Sequence, residues 1–291
     1  MEPLGRPADS RLPFRPRRPY TARAVNESDT RRAICDAGRV LYERGLIGPT
    51  DGNLSARVGD GYFVCTPSGM HKGELKPSDL VKLNAQGRAV SSAQRPSSEL
   101  RMHLAIYRAR KDIQCIVHAH PPCAVGMTVA GMSMEQPVVP EILFALGAVP
   151  TVPYSSPTTD DVPEAIRPVL ERADAFIMAR HGSVVLCATP QEGVIRTEII
   201  EHTAKITLAA RVAGNASPLP QAEVQKLLGL AAQARMANAE SAMGTYERAA
   251  NRERASVAAT SARGGASRTT GDDDAALIEA VTRAVLERLR S

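Results

Sequence analysis

The chain has 291 residues, 43% of them apolar, which suits one or two domains with a sizeable core. Aromatic residues make up 3% with no tryptophan, a poor supply for stacking on bases. The net charge of +5 owes four charges to residues 1–24, where six arginines face Glu2 and Asp9, so no nucleic-acid partner is expected. The most apolar stretch, 137–154, carries Glu141 and four prolines and is a poor membrane span.

Residues 1–26 mix those arginines with Pro3, Pro7, Pro13, Pro16 and Pro19, a composition that predicts an extended arm. It has no apolar secretory core, so a cytoplasmic address is expected. From Asp29, Ile34, Ala37, Val40 and Leu41 recur at helical spacing until Gly45 and Gly48-Pro49 stop the helix. Strand-like runs follow at 62–66, 80–83, 113–120, 149–154, 175–179 and 183–188, interleaved with helices over 99–109 and 191–213. Residues 27–215 thus read as one α/β domain, a central sheet covered by helices.

An alanine-rich helix over 220–243 forms most of an extension, 216–247. Residues 248–274 have the Ala/Ser/Thr/Gly/Arg composition of a linker. Asp272, Asp273 and Asp274 then precede Ile278, Val281, Val285 and Leu289 at spacings of three and four, which predicts an amphipathic helix over 275–290. An apolar-faced helix on a long tether suits docking. The five cysteines, Cys35, Cys65, Cys115, Cys123 and Cys187, lie far apart with no Cys-x-x-Cys pair, which argues against a disulfide framework and a thiolate zinc site.

His118 and His120 close the run from Ile113. Two residues apart on a strand, they face one side, as metal ligands or as a pair of surface histidines. Pro121-Pro122 ends that strand. His181, in Ala179-Arg180-His181-Gly182-Ser183, favours the first reading, because three imidazoles without thiolate suit a catalytic zinc or another divalent ion. His71, His103 and His202 read as surface, packing or structural histidines. Arg95-Pro96-Ser97-Ser98-Glu99 brings hydroxyls and free N–H groups to a helix N-terminus, which is N-capping or an anion site followed by a proton carrier. Asp51-Gly52-Asn53-Leu54-Ser55-Ala56-Arg57 and Thr66-Pro67-Ser68-Gly69-Met70 read as glycine turns with small polar groups, suited to a phosphate.

In order, Gly-Asn-Leu-Ser-Ala-Arg, Thr-Pro-Ser-Gly, Ser-Ser-Glu, His-Ala-His and Arg-His-Gly resemble the class II aldolase/adducin family, most closely its fuculose-phosphate aldolase branch. The resemblance implies a homotetramer that splits a ketose phosphate into dihydroxyacetone phosphate and an aldehyde such as lactaldehyde. It implies zinc on His118, His120 and His181, Glu99 as acid/base group, and phosphate held by Asn53, Ser68, Gly69, Ser97 and Ser98. The branch uses a C-terminal tyrosine toward the aldehyde, and this chain offers Tyr246 there. Epimerases and sugar-acid decarboxylases share the metal, and an adducin-like scaffold would lack its histidines. The helix 275–290 resembles the encapsulation peptides of bacterial microcompartments, which implies shell proteins as partners. A coiled coil or a tetramer-stabilising helix is the alternative.

Overall fold

The computed structural model describes residues 26–237 apart from Asp60, Ser92, Ala93, Ala148 and Arg172. The chain separates into two units, Met1–Ala237 and Asn238–Ser291. Residues 1–25 of the arm, the extension beyond 237 with Tyr246, the linker 248–274 and the helix 275–290 lie outside the described residues.

Asn26, counted with the arm on composition, caps the first helix, its side-chain oxygen accepting from Ser28 N at 3.0 Å. That helix, α1 (Glu27–Glu43), turns Ile34, Ala37 and Leu41 inward. Eight strands follow among the described residues: β1 (Asn53–Arg57), β2 (Phe63–Cys65), β3 (Val81–Leu83), β4 (Ala89–Ser91), β5 (Cys115–Ala119), β6 (Thr151–Val152), β7 (Ala175–Met178) and β8 (Gly182–Cys187). They form one sheet in the order β4-β3-β2-β1-β5-β8-β7-β6, antiparallel throughout except for the β6–β7 pair. The remaining helices are α2 (Leu100–Ala109), α3 (Pro122–Val129), α4 (Pro140–Ala145), α5 (Asp161–Leu170), α6 (Pro190–Val212) and α7 (Gln221–Ala237).

Strand alternation divides the core in two. Leu54, Val117 and Val185 pack with Ile34 and Leu41 of α1 and Val194 and Ile200 of α6. Ile116, Val184 and Leu186 pack with Met102 and Ile106 of α2 and Ile166 of α5. The segment 51–57 is not the turn its composition suggests: Gly52 takes a left-handed φ of 61, and Asn53–Arg57 is a central strand between β2 and β5. Asn53 and Ser55 alternate with Leu54 and so face α2. Ser55 Oγ meets His103 Nδ1 at 2.7 Å and the Tyr107 hydroxyl at 3.0 Å, and Tyr107 donates to the Ser55 carbonyl at 3.0 Å.

Burial pushes the His103 imidazole down to about 3, helped by the nearby His118. The folded protein thus keeps His103 neutral where the unfolded chain, titrating near 6.5, takes up a proton. His103 should therefore subtract about 1.4 kcal/mol of stability for each pH unit lost from about 6.5 to about 3. Its contribution is intact above that window. Urea denaturation at stepped pH measures the slope, and His103→Gln should flatten it.

Candidate metal centre and active site

β5 is held between β1 and β8, with His118 opposite Asn53 on one side and Val184 on the other. The His118 ring is fully buried. His120 follows β5, its backbone N–H donating to Leu46 O at 2.9 Å, and Pro122 then opens α3. His181 occupies the tight turn between β7 and β8, its N–H bonded to Met178 O at 3.1 Å. Arg180 reaches that turn at φ 60, a left-handed conformation, with its N–H donating to Thr128 Oγ1 at 2.8 Å.

The three rings converge. Their centroids are 4.8 Å (His118–His120), 4.9 Å (His118–His181) and 5.2 Å (His120–His181) apart. Glu99, at the N-cap of α2, sends its carboxylate among them: Oε2 lies 3.1 Å from His118 Nε2 and Oε1 3.1 Å from His181 Nε2. His118 Nε2 and His120 Nε2 are 3.0 Å apart, and one ligand atom from each of the four residues falls within a 4.8 Å span.

Hydrogen-bond direction decides what this arrangement suits. His118 Nδ1 lies 2.9 Å from the Ser183 carbonyl, which only accepts, so Nδ1 carries the proton and Nε2 presents a lone pair. That lone pair faces another imidazole nitrogen and a carboxylate oxygen, and Glu99 Oε1 has no hydrogen-bond partner. Such crowding of donor atoms fits a divalent cation, whose bonds of about 2.0–2.1 Å join ligand atoms roughly 3–4 Å apart. Burial opposes ionisation of Glu99, but positive charge beside it, from His118 and then His181 where these carry a proton, outweighs it and holds the carboxyl well below the usual carboxylate range; a bound cation would supply that charge in their place. Burial, then His118 and His181, pushes His120 down to about 3. His120 is therefore suited to bind as a neutral imidazole.

Gly182 lets the two strands close on this point. A Cβ there would meet Ala119 O at 2.5 Å, His120 Cδ2 at 2.7 Å and His118 Cε1 at 2.8 Å. Gly182→Ala should push both rings aside, cost about 1–3 kcal/mol by overpacking, and lower bound metal after dialysis against zinc. Metal analysis and urea denaturation would both show it.

The loops predicted to hold phosphate stand beside Glu99. Asn53 Nδ2 donates to Glu99 Oε2 at 2.8 Å, and Glu99 N donates to Ser97 Oγ at 3.3 Å. An isolated bridge pairs Pro67 with Pro96, while Ser68 N donates to Arg95 O and Ser97 N to Thr66 O, which lays the loops of Ser68-Gly69 and Ser97-Ser98 side by side. Ser68, Gly69 and Ser98 are exposed. His71 packs edge-on against Tyr42, and neither it nor the exposed His202 joins the cluster.

Sequence reasoning passed over Lys72. Its side chain is fully buried and donates to Thr50 O at 3.1 Å and Met70 O at 2.8 Å, tying the turn before β1 to the Ser68-Gly69 loop. Burial lowers its pKa, with Asp51 opposing. A lysine among loop residues carries no spacing signal. The carboxylate of Asp51, 3.8 Å from His120 Nδ1, also went unremarked.

The model of the class II aldolase and adducin N-terminal domain matches residues 32–208, more than half of the chain. A 5-deoxy-D-ribulose 1-phosphate aldolase of Bacillus thuringiensis serovar kurstaki is 33% identical over 199 residues, 68% of this chain and 92% of that protein. A 3-oxo-tetronate 4-phosphate decarboxylase of Cupriavidus necator is 30% identical, covering 64% of this chain and 86% of its own length. A solved L-fuculose 1-phosphate aldolase superposes with a TM-score of 0.65 at 27% identity, over 72% of this chain and 98% of that one. With the ordered motifs now placed around one carboxylate and three imidazoles, the chain belongs to the class II aldolase and adducin family.

Proposed function

We propose that this class II aldolase family enzyme is a zinc-dependent carbon–carbon lyase that cleaves a fuculose 1-phosphate-like ketose phosphate to dihydroxyacetone phosphate and an aldehyde such as lactaldehyde. The supporting observation is Glu99, a carboxylate bonded to Asn53 and 3.1 Å from two imidazole nitrogens, beside loops rich in exposed hydroxyls. His118, His120 and His181 would hold a divalent cation, which would supply Lewis acidity to the substrate's carbonyl group. Ser68, Gly69, Ser97, Ser98 and Asn53 bind the phosphate and fix the substrate's orientation. Glu99, ionised in this setting, takes up a proton and returns it.

Similarity to the 5-deoxy-D-ribulose 1-phosphate aldolase supports the bond broken, and similarity to the 3-oxo-tetronate 4-phosphate decarboxylase favours decarboxylation as a second reading. Purified protein loaded with zinc is offered ketose 1-phosphates and phosphorylated 3-oxo sugar acids, with aldehyde, epimer and carbon dioxide measured. Aldehyde release supports the proposal. Carbon dioxide without aldehyde replaces it with decarboxylation, an epimer with epimerisation, and silence on every substrate favours an adducin-like scaffold.

The proposal extends to a homotetramer and to residues 275–290 as an encapsulation peptide. No described helix is long and apolar enough to cross a membrane. Deleting residues 265–291 should leave turnover unchanged and abolish co-sedimentation with microcompartment shell proteins. A truncated chain that lost its activity would instead assign the helix to the oligomer.

A further inference from the structure

Among the described residues four buried side-chain atoms lack a hydrogen-bond partner, and three of them are Asn53 Oδ1, Glu99 Oε1 and His103 Nε2. These residues form a ladder. Asn53 and Ser55 lie two apart on the same face of β1, while Glu99 and His103 lie four apart at the start of α2, so both pairs have similar spacing. Asn53 Nδ2 to Glu99 Oε2, 2.8 Å, is one rung, and Ser55 Oγ to His103 Nδ1, 2.7 Å, is the other.

The second rung has a direction. Tyr107 spends its one hydroxyl proton on the Ser55 carbonyl, so its oxygen is left to accept from Ser55 Oγ–H. Ser55 Oγ then accepts from His103 Nδ1–H. The chain His103 → Ser55 → Tyr107 → backbone carbonyl satisfies every proton in it and leaves His103 Nε2 as a bare acceptor. All three unpartnered atoms are therefore acceptors, and what they lack is a donor. His103 and Asn53 are only 2% and 3% exposed, so bulk water does not supply it.

We propose that one buried water molecule donates a hydrogen bond to His103 Nε2 and another to Asn53 Oδ1, and that His103 is through it a positioning residue for Glu99. A water suits the place because it brings two donors to two acceptors. Its role is to fix the Asn53 amide. With Oδ1 held by the water, Nδ2 faces Glu99 Oε2 and steers the carboxylate; an amide turned over would set oxygen against oxygen. This rests on Glu99 being the proton carrier.

The test uses the full chain loaded with zinc. Nitrogen-15 histidine spectra should show His103 protonated at Nδ1 with a free lone pair at Nε2. A proton on Nε2 overturns the proposal without any mutation. His103→Asn keeps an amide N–H for Ser55 and removes the Nε2 acceptor, whereas His103→Gln returns an amide oxygen near that position. His103→Asn should retain stoichiometric metal and its KM while kcat falls about tenfold, the rate equivalent of one hydrogen bond, and His103→Gln should restore most of it. Unchanged kcat in His103→Asn, equal losses in both variants, or loss of metal would each overturn it. Should His103→Asn fail to fold, the spectra of the unmutated protein decide. Normal turnover in Glu99→Gln would instead sink the functional reading while leaving the histidine tautomer as described.

Discussion

His118→Ala should emerge from purification without stoichiometric zinc and with kcat/KM reduced about a thousandfold or more, since charge stabilisation by a bound cation is worth several kcal/mol in the transition state. The size of the effect follows from where the ring sits. His118 is fully buried, its Nδ1 is committed to the Ser183 carbonyl, and its Nε2 lies within 3.1 Å of both a second imidazole and the Glu99 carboxylate. Alanine leaves two imidazoles and a carboxylate around a cavity, too few neutral donors to hold zinc against dialysis. A chelator should reproduce the loss in the unmutated protein, and added zinc should reverse it there but not in the variant. Metal analysis beside an aldehyde-release assay checks both, and a variant that kept metal and rate would remove His118 from the centre.

Glu99→Gln should bind zinc and substrate as the parent does yet turn over about a hundred to ten thousand times more slowly, the range for a lost general acid–base group. The amide is nearly isosteric, and its oxygen can still accept from Asn53 Nδ2, so the 2.8 Å contact that orients the side chain survives. What vanishes is the capacity to accept a proton. Because positive charge at the centre holds the carboxyl well below the usual carboxylate range, that capacity is present at neutral pH in the parent. An unchanged KM with a collapsed kcat is the expected signature. If Glu99→Gln turned over normally, the proton would have to travel by another group, and Asp51, 3.8 Å from His120, would be the first to replace.

The histidine pair was legible because strand periodicity alone puts residues 118 and 120 on one face, whereas the atoms that Gly182 closely approaches became visible only with the partner strand in place. β1 was not legible. Asn-Leu-Ser-Ala-Arg has no β-branched or aromatic residue, and its strand geometry comes from pairing with β2 and β5 on either side. α3 and α4 were missed because Pro122 and Pro140 read as breaks, although each occupies the first helical turn, where a missing N–H costs nothing. α5, with Pro168 inside it, was not among the predicted helices either. His103 was read as surface or packing, and nothing in its spacing announced the chain through Ser55 to Tyr107.

The three imidazoles come from the end of β5 and from the turn that opens β8, segments separated by more than sixty residues but paired Ala119 to Ser183. A nascent chain halted on the ribosome before Gly182 has already made His118, His120 and His181, yet lacks the partner strand that brings the last ring to the other two. Tight capture of a divalent cation by this centre should accordingly begin only once residues 182–187 have left the exit tunnel, which makes the ion a reporter of the moment β8 joins β5.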